Sequence, residues 1–250
     1  MTWSMPAGRI AKLAILIAAG VALQALLRRA GFYDLMAEDA DGLHVLIQLI
    51  GEIYAVLLAF AIFVIWGQFT DVENSVMKEA SALDDLLRFS DYLNPDARSS
   101  IRRSIADYVH HILKHEWQAL GAGRRDRQAE EVFAGAMSAA IEAGPRNEIE
   151  HSIHARLLDL AQEVSKFRDE RVSKSLARIP PTLATLVHAI SGVLVLAVFV
   201  YPFRRWFSGA CSFAVLACVL FLADFVLMDT DNPLQGAWNV SPKPFADLNP

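Results

Sequence analysis

The chain lacks most of what soluble catalytic or secreted domains rely on. Its 250 residues contain two cysteines, Cys211 and Cys218, so no disulfide framework staples a small secreted fold. They stand seven positions apart in one apolar run, on one helical face, where the expected role of both thiols is packing. No phosphate loop, dinucleotide fingerprint, nucleophile motif or His-Glu-x-x-His pair occurs, which argues against an enzyme and against a cofactor. Basic charge is not in excess: the formal net charge is -5, and this excludes the electrostatic footprint of a nucleic-acid partner. No alternating pattern competes for a β-strand reading.

What the chain does have is four long apolar runs, at 10–27, 43–67, 182–203 and 206–228. Each approaches or exceeds the roughly 20 residues with which a helix crosses a hydrocarbon core, where only an unbroken helix satisfies every backbone donor and acceptor. Hydrophobic residues make up 54% of the chain, yet the charged ones sit almost wholly outside these runs. The expected fold is therefore all-α and multi-pass, with the lipid bilayer as its solvent. Spans 1 and 2 occupy 1–67, a helical region 68–181, spans 3 and 4 182–229, and a tail 230–250. Arg9 and Lys12 ahead of the first run resemble the basic flank of a signal peptide, but Arg28 and Arg29 close the run where a small-residue cleavage site would lie.

Four spans put both termini and the long insert on one side. Near the membrane ends on that side stand Arg9, Lys12, Lys78, Lys166, Arg168, Arg171, Lys174 and Arg178, against Arg28, Arg29, Arg204 and Arg205 in the short loops. The excess makes the insert cytoplasmic, although the arginine pairs of the short loops pull the other way.

The insert reads as helix almost throughout. Val72, Val76, Ala80, Leu83 and Leu87 recur at helical spacing until Leu93-Asn94-Pro95-Asp96 stops the pattern. Asp96 or Ser99 is then expected to cap a second helix carrying Ile101, Ile105, Tyr108, Val109 and Ile112 on one stripe. A short helix is expected over 129–143 and a long one over 148–178, separated by Gly144-Pro145-Arg146-Asn147. Span 2 enters the insert through Trp66-Gly67-Gln68-Phe69 with no proline. The insert thus extends the spans, so that a movement of its helices can reach the bilayer mechanically.

Trp66-Gly67-Gln68-Phe69 is followed by Glu73, Val76, Glu79-Ala80, Leu83 and Arg88, then by Tyr108, Glu116-Trp117, Arg168-Asp169-Glu170-Arg171 and Ile179-Pro180-Pro181. The series ends in Asp231-Asn232-Pro233, Gly236 and Val240-Ser241-Pro242-Lys243-Pro244-Phe245. In combination these motifs resemble the bestrophin-like group of bacterial four-span membrane proteins. Similar sequences often place a tryptophan shortly after the paired prolines, where this chain has Leu183-Ala184-Thr185. The resemblance implies a bacterial inner-membrane protein with cytoplasmic termini, a homo-oligomer with a pentamer favoured, and a pore lined by the second span. Fold-level analogy alone establishes no activity.

The second span carries a stripe at spacings of three and four through Gln48, Glu52, Ala55, Ala59, Ile62, Phe63, Trp66, Thr70 and Glu73. A carboxylate near membrane depth costs about 2.5–3.5 kcal/mol on insertion scales, so Glu52 faces water or a partner and not lipid. On a channel reading a ring of Glu52 concentrates cations, Ala55 and Ala59 leave room, Ile62, Phe63 and Trp66 form a dry constriction, and Glu73 makes a second acidic ring. On a packing reading Glu52 lies near the interface or pairs with His44 or His188, and the alanines let helices approach. Asp224 in the fourth span is expected to pair with a neighbouring helix. The partners implied are inorganic ions on the first reading, and on the second a protein recruited to a non-conducting scaffold or sensor.

Two other clusters are weaker. Asp107, His111 and His115, with Glu116 beside them, share a helical face but read as a solvated surface, and no metal site is expected. His151 and His154 lack further ligands, and Asp229 and Asp231, in a turn next to the membrane, read equally as a cation-binding pair or as turn and capping residues. A carrier would show broken span pairs or an internal repeat, and neither is present.

Overall fold

A computed structural model of the chain describes residues 7–236 and 238–248. The chain forms two compact units, one from the chain up to Ile65 with Ile179–Asp231, the other from Trp66–Arg178 with the chain from Asn232 onward. Among the described residues all regular structure is helical.

The first unit contains α1 (Ala7–Arg29), the short α2 (Phe32–Met36), the opening part of α3 (Ala40–Ser90), α8 (Pro181–Val200) and α9 (Trp206–Thr230). Helices α1, α3, α8 and α9 are long and apolar enough to cross a membrane, which bears out the four-span reading. Between α1 and α2 the chain turns at Gly31, whose φ of 75° suits a residue without a Cβ. Pro181 opens α8 at a first-turn position, where its missing N–H costs nothing. Just before it, Ile179 N–H donates to Asp231 Oδ1 at 2.6 Å, so Asp231 satisfies a backbone donor at the break.

The core of this unit joins Tyr54, Ala61 and Ile65 of α3 to Val187 and Leu194 of α8 and to Leu220 and Leu227 of α9. Close to it α1 meets α9 at Gly20, where Phe213 occupies the space a Cβ would need. Small residues of this kind let membrane helices approach. Apolar side chains such as Ile15, Val56, Phe60 and Val215 point outward, as lipid or further helices require. Cys211 and Cys218 also lie exposed. Their spacing puts them on the side of α9 away from Phe213, Ala217 and Leu220, so within the chain they do not serve as core packing.

The second unit contains the remainder of α3, then α4 (Pro95–His111), a π-helical turn (Ile112–Glu116), α5 (Trp117–Gly121), α6 (Arg127–Ile141), α7 (Glu148–Leu176) and α10 (Lys243–Ala246). Side-chain caps set the starts. Asn94 accepts from Ala97 N–H at 3.0 Å, so it, and not Asp96 or Ser99, caps α4; Pro95 takes the first helical position behind an extended Asn94. Asp126 accepts from Gln128 N–H at 3.0 Å, which starts α6 two residues ahead of the expected position. Asn147 does the same for α7 through Glu150 N–H at 2.8 Å.

The core of this unit runs through Val72, Val76, Leu83, Ile101, Ile105, Ile112, Leu157 and Leu160, all essentially sealed from solvent. The tail completes it: Leu234, Val240 and Phe245 are buried in the same cluster. Asn232 Nδ2 holds the tail to Gly121 O at 2.7 Å, and Phe245 meets Trp117 edge-on.

Candidate functional site

Helix α3 is uninterrupted over 51 residues. At about 100° per residue its first part presents three faces. Tyr54, Ala61 and Ile65 are buried in the core. About 120° away, Gln48, Glu52, Ala55, Ala59, Ile62 and Phe63 lie exposed, Phe63 at 74%. A further third of a turn round stand Leu49, Ile53, Val56 and Phe60, bulky and also exposed. The chain by itself therefore covers only one third of this helix.

Glu52 accepts a hydrogen bond from Gln48 Nε2 at 3.1 Å, one turn earlier on the same face. It does not meet His188, which faces Asp224 instead, Nε2 to Oδ1 at 2.7 Å. That contact realises the neighbouring-helix pair expected for Asp224. His44 lies against the Tyr201 ring, 6.4 Å between centroids, and not against Glu52. The packing reading of Glu52 thus loses both of its proposed histidine partners within the chain.

In the second unit α3 carries the last three residues of the sequence stripe. Trp66 is half exposed, stacks on Phe69 at 6.1 Å and takes Trp238 of the tail edge-on at 5.3 Å. Thr70 turns its hydroxyl back to Trp66 O at 3.0 Å. Glu73 is exposed.

The opposite side of this part of α3 enters a buried ionic cluster. Arg171 of α7 donates from Nε to Glu79 Oε2 at 2.6 Å and from Nη2 to Glu116 Oε2 at 2.7 Å. Arg168 donates to the other Glu116 oxygen at 3.0 Å, and Tyr108 O–H to Glu79 Oε1 at 2.6 Å. All five side chains are buried. Phe133 lies under the Arg168 guanidinium at 4.9 Å and Phe245 under that of Arg171 at 5.4 Å, so aromatic faces supply part of the solvation that water would give. Burial works against the Arg171 charge, but Glu79 and Glu116 outweigh it and hold its pKa well above the ordinary value. Burial and then the Glu79 charge push the Tyr108 hydroxyl well above its usual 10.0. Two cations balance two carboxylates, and the cluster ties α3, α4 with its π turn, and α7 together.

The face read as solvated at Asp107, His111, His115 and Glu116 is only partly so. Glu116 belongs to the buried cluster, and His111, 7% exposed, meets Asp126 at 2.8 Å. Burial raises the Asp126 pKa, but the His111 hydrogen bond and Gln128 N–H reverse this and leave it lowered. Among the described residues no group of His, Cys, Asp and Glu side chains is arranged to hold a metal.

A family model for the bestrophin-like domain matches residues 14–245. The chain belongs to the bestrophin-like family. Members of that family are ion channels, not enzymes. A bacterial bestrophin homolog from Klebsiella pneumoniae superposes with a TM-score of 0.66 at 12% identity, over 92% of this chain and 94% of that one. A point variant of the Klebsiella bestrophin homolog gives 0.68 at 12% identity, over 93% and 95%. At this identity the likeness is one of fold. No curated protein matches the chain. Glu79, Tyr108, Glu116, Arg168 and Arg171, five of the residues on which the resemblance rests, are the members of the buried cluster of this chain.

Proposed function

We propose that this bestrophin-like chain is a passive, cation-preferring ion channel, assembled as a pentamer around its α3 helices in the bacterial inner membrane. The observation that supports it best is the uncovered face of Gln48, Glu52, Ala55 and Ala59, turned away from the chain's own core. Glu52 on a membrane-spanning helix requires water or a partner, and neither histidine of its own chain meets it. Neighbouring copies around an axis supply the water, while the bulky face of Leu49, Ile53, Val56 and Phe60 packs against them.

In this arrangement a Glu52 ring concentrates cations, Ala55 and Ala59 leave the path wide, and Ile62, Phe63 and Trp66 narrow and dry it. Thr70 and the Glu73 ring lie at the cytoplasmic mouth. The 68–181 region and both termini lie in the cytoplasm, in line with the basic residues that flank the spans there. Purified protein in liposomes, measured for single-channel current and reversal potential across a salt gradient, tests the reading. Discrete currents with a cation-selective reversal potential are expected. A folded oligomer silent at every voltage and salt concentration would instead make it a scaffold or sensor that recruits a partner through its helical region.

A further inference from the structure

We infer that the loop between α8 and α9 holds a binding site for the headgroup of an anionic phospholipid. Where the start of α3, the end of α8 and the start of α9 converge, there is a cavity of about 780 Å³. Its polar lining is His44, Tyr201, Arg204, Arg205, Ser208 and Ser212, with no carboxylate. Among the described residues neither arginine forms an ion pair, and both are exposed.

The loop is held in place. Arg28, at the end of α1, donates from Nη1 to Phe203 O at 3.2 Å and from Nη2 to Arg204 O at 2.7 Å. Tyr33 O–H donates to Phe199 O at 2.9 Å, and Tyr201 and Phe203 lock edge-to-face at 4.7 Å. One arginine is thus spent on fixing the backbone that presents the next two. Two neighbouring cations lining one cavity without a counter-charge repel, and an anion bound there removes that cost.

The chemistry of the lining selects the anion. Two guanidinium groups match phosphate oxygens, and α9 opens beside them, its first-turn N–H groups adding positive potential. The serines stand one turn apart on α9, and their hydroxyls have no hydrogen-bond partner among the described residues. Behind the polar groups, Ile47 and Val198 form an apolar wall that a soluble anion cannot use and that an acyl chain can. The site lies at the ends of three membrane-spanning helices, the depth at which lipid phosphates sit. It also accounts for Arg204 and Arg205 standing in a short loop, against the charge bias that orients the protein. The inference is independent of whether the protein conducts.

Native mass spectrometry of the full-length protein in neutral detergent tests it, with phosphatidylglycerol, phosphatidylcholine and inorganic phosphate added separately. Phosphatidylglycerol is expected to remain bound in preference to phosphatidylcholine. The double variant R204Q/R205Q should weaken its retention about tenfold or more, the loss of one or two charge-assisted contacts. R29Q, which removes an exposed arginine at the same membrane end but outside the cavity, should leave it unchanged. Equal retention of both lipids, or retention unaffected by R204Q/R205Q, would overturn the site. Inorganic phosphate held as tightly as the lipid would overturn the lipid as its occupant. The preference of the wild-type protein between the two lipids decides the matter even if the double variant does not fold.

Discussion

Arg171 and Glu79 lie 92 positions apart and meet through a 2.6 Å hydrogen bond with no solvent exposure on either side. A pair this deep contributes little net stability over an apolar pair of the same volume, because both charges lose their water. What it does is penalise every arrangement that leaves one of them alone. The long helix α3 and the last insert helix α7 are thereby fixed in register around Tyr108 and Glu116.

Removing one partner should therefore be far worse than removing none. Glu79→Gln keeps the shape but leaves Arg171 with a single carboxylate, and about 3–5 kcal/mol of stability should be lost. Thermal and denaturant unfolding of the purified protein would measure it. A loss below about 1 kcal/mol would mean that water reaches the cluster.

Tyr108 gives the same cluster a pH signature. Burial, then the Glu79 charge, raises its pKa well above 10.0, so the native state keeps a proton that the unfolded chain releases. Its contribution is complete below pH about 10 and is lost as pH rises from there through the folded value. Tyr108→Phe should cost about 1–3 kcal/mol near neutral pH through the lost hydrogen bond. Above pH about 10 the gap to wild type should narrow, whereas a constant gap would show that the hydroxyl is not held protonated.

The contact of α1 with α9 offers a steric test. Phe213 fills the place of a Cβ on Gly20, so Gly20→Ala must displace the ring and should cost about 1–3 kcal/mol. Combining it with Phe213→Leu should recover much of the loss. Additive losses in the double variant would place the ring elsewhere.

Much of this architecture was legible because its determinants are local. The four apolar runs became the four spanning helices, and the absence of proline from Trp66 to Phe69 became the continuity of α3. The ionic cluster was not legible from pattern. Glu79 sits on α3, Tyr108 on α4, Glu116 in the π turn that follows it and both Arg168 and Arg171 on α7, and periodicity says nothing about which helix a charge will meet. Resemblance flagged them without giving the reason. The π turn at Ile112–Glu116 adds a residue to the turn, shifting the phase by about 100°, and no composition marks it. His111 reads as surface until Asp126, which caps α6, is seen to meet it. Asn94 is hidden as a cap by the proline behind it, which reads first as a stop although it opens α4.

Glu52 and Phe63 separate the pore reading from a packed one. Both are exposed on α3, and they stand on one face at helical spacing. If that face lines water, Glu52→Gln removes the charge that concentrates cations, and reversal potentials in a salt gradient should move toward the non-selective value while the oligomer persists. Phe63→Ala should widen the dry constriction and raise open probability or leak. If the face is instead buried between subunits, Phe63→Ala leaves a cavity in the interface, and its effect should be loss of assembly, about 3–5 kcal/mol for a fully buried phenylalanine, with no gain in current. The two outcomes are distinguished by measuring assembly and conductance on the same preparation. An intact oligomer with a larger leak fits only a water-lined face.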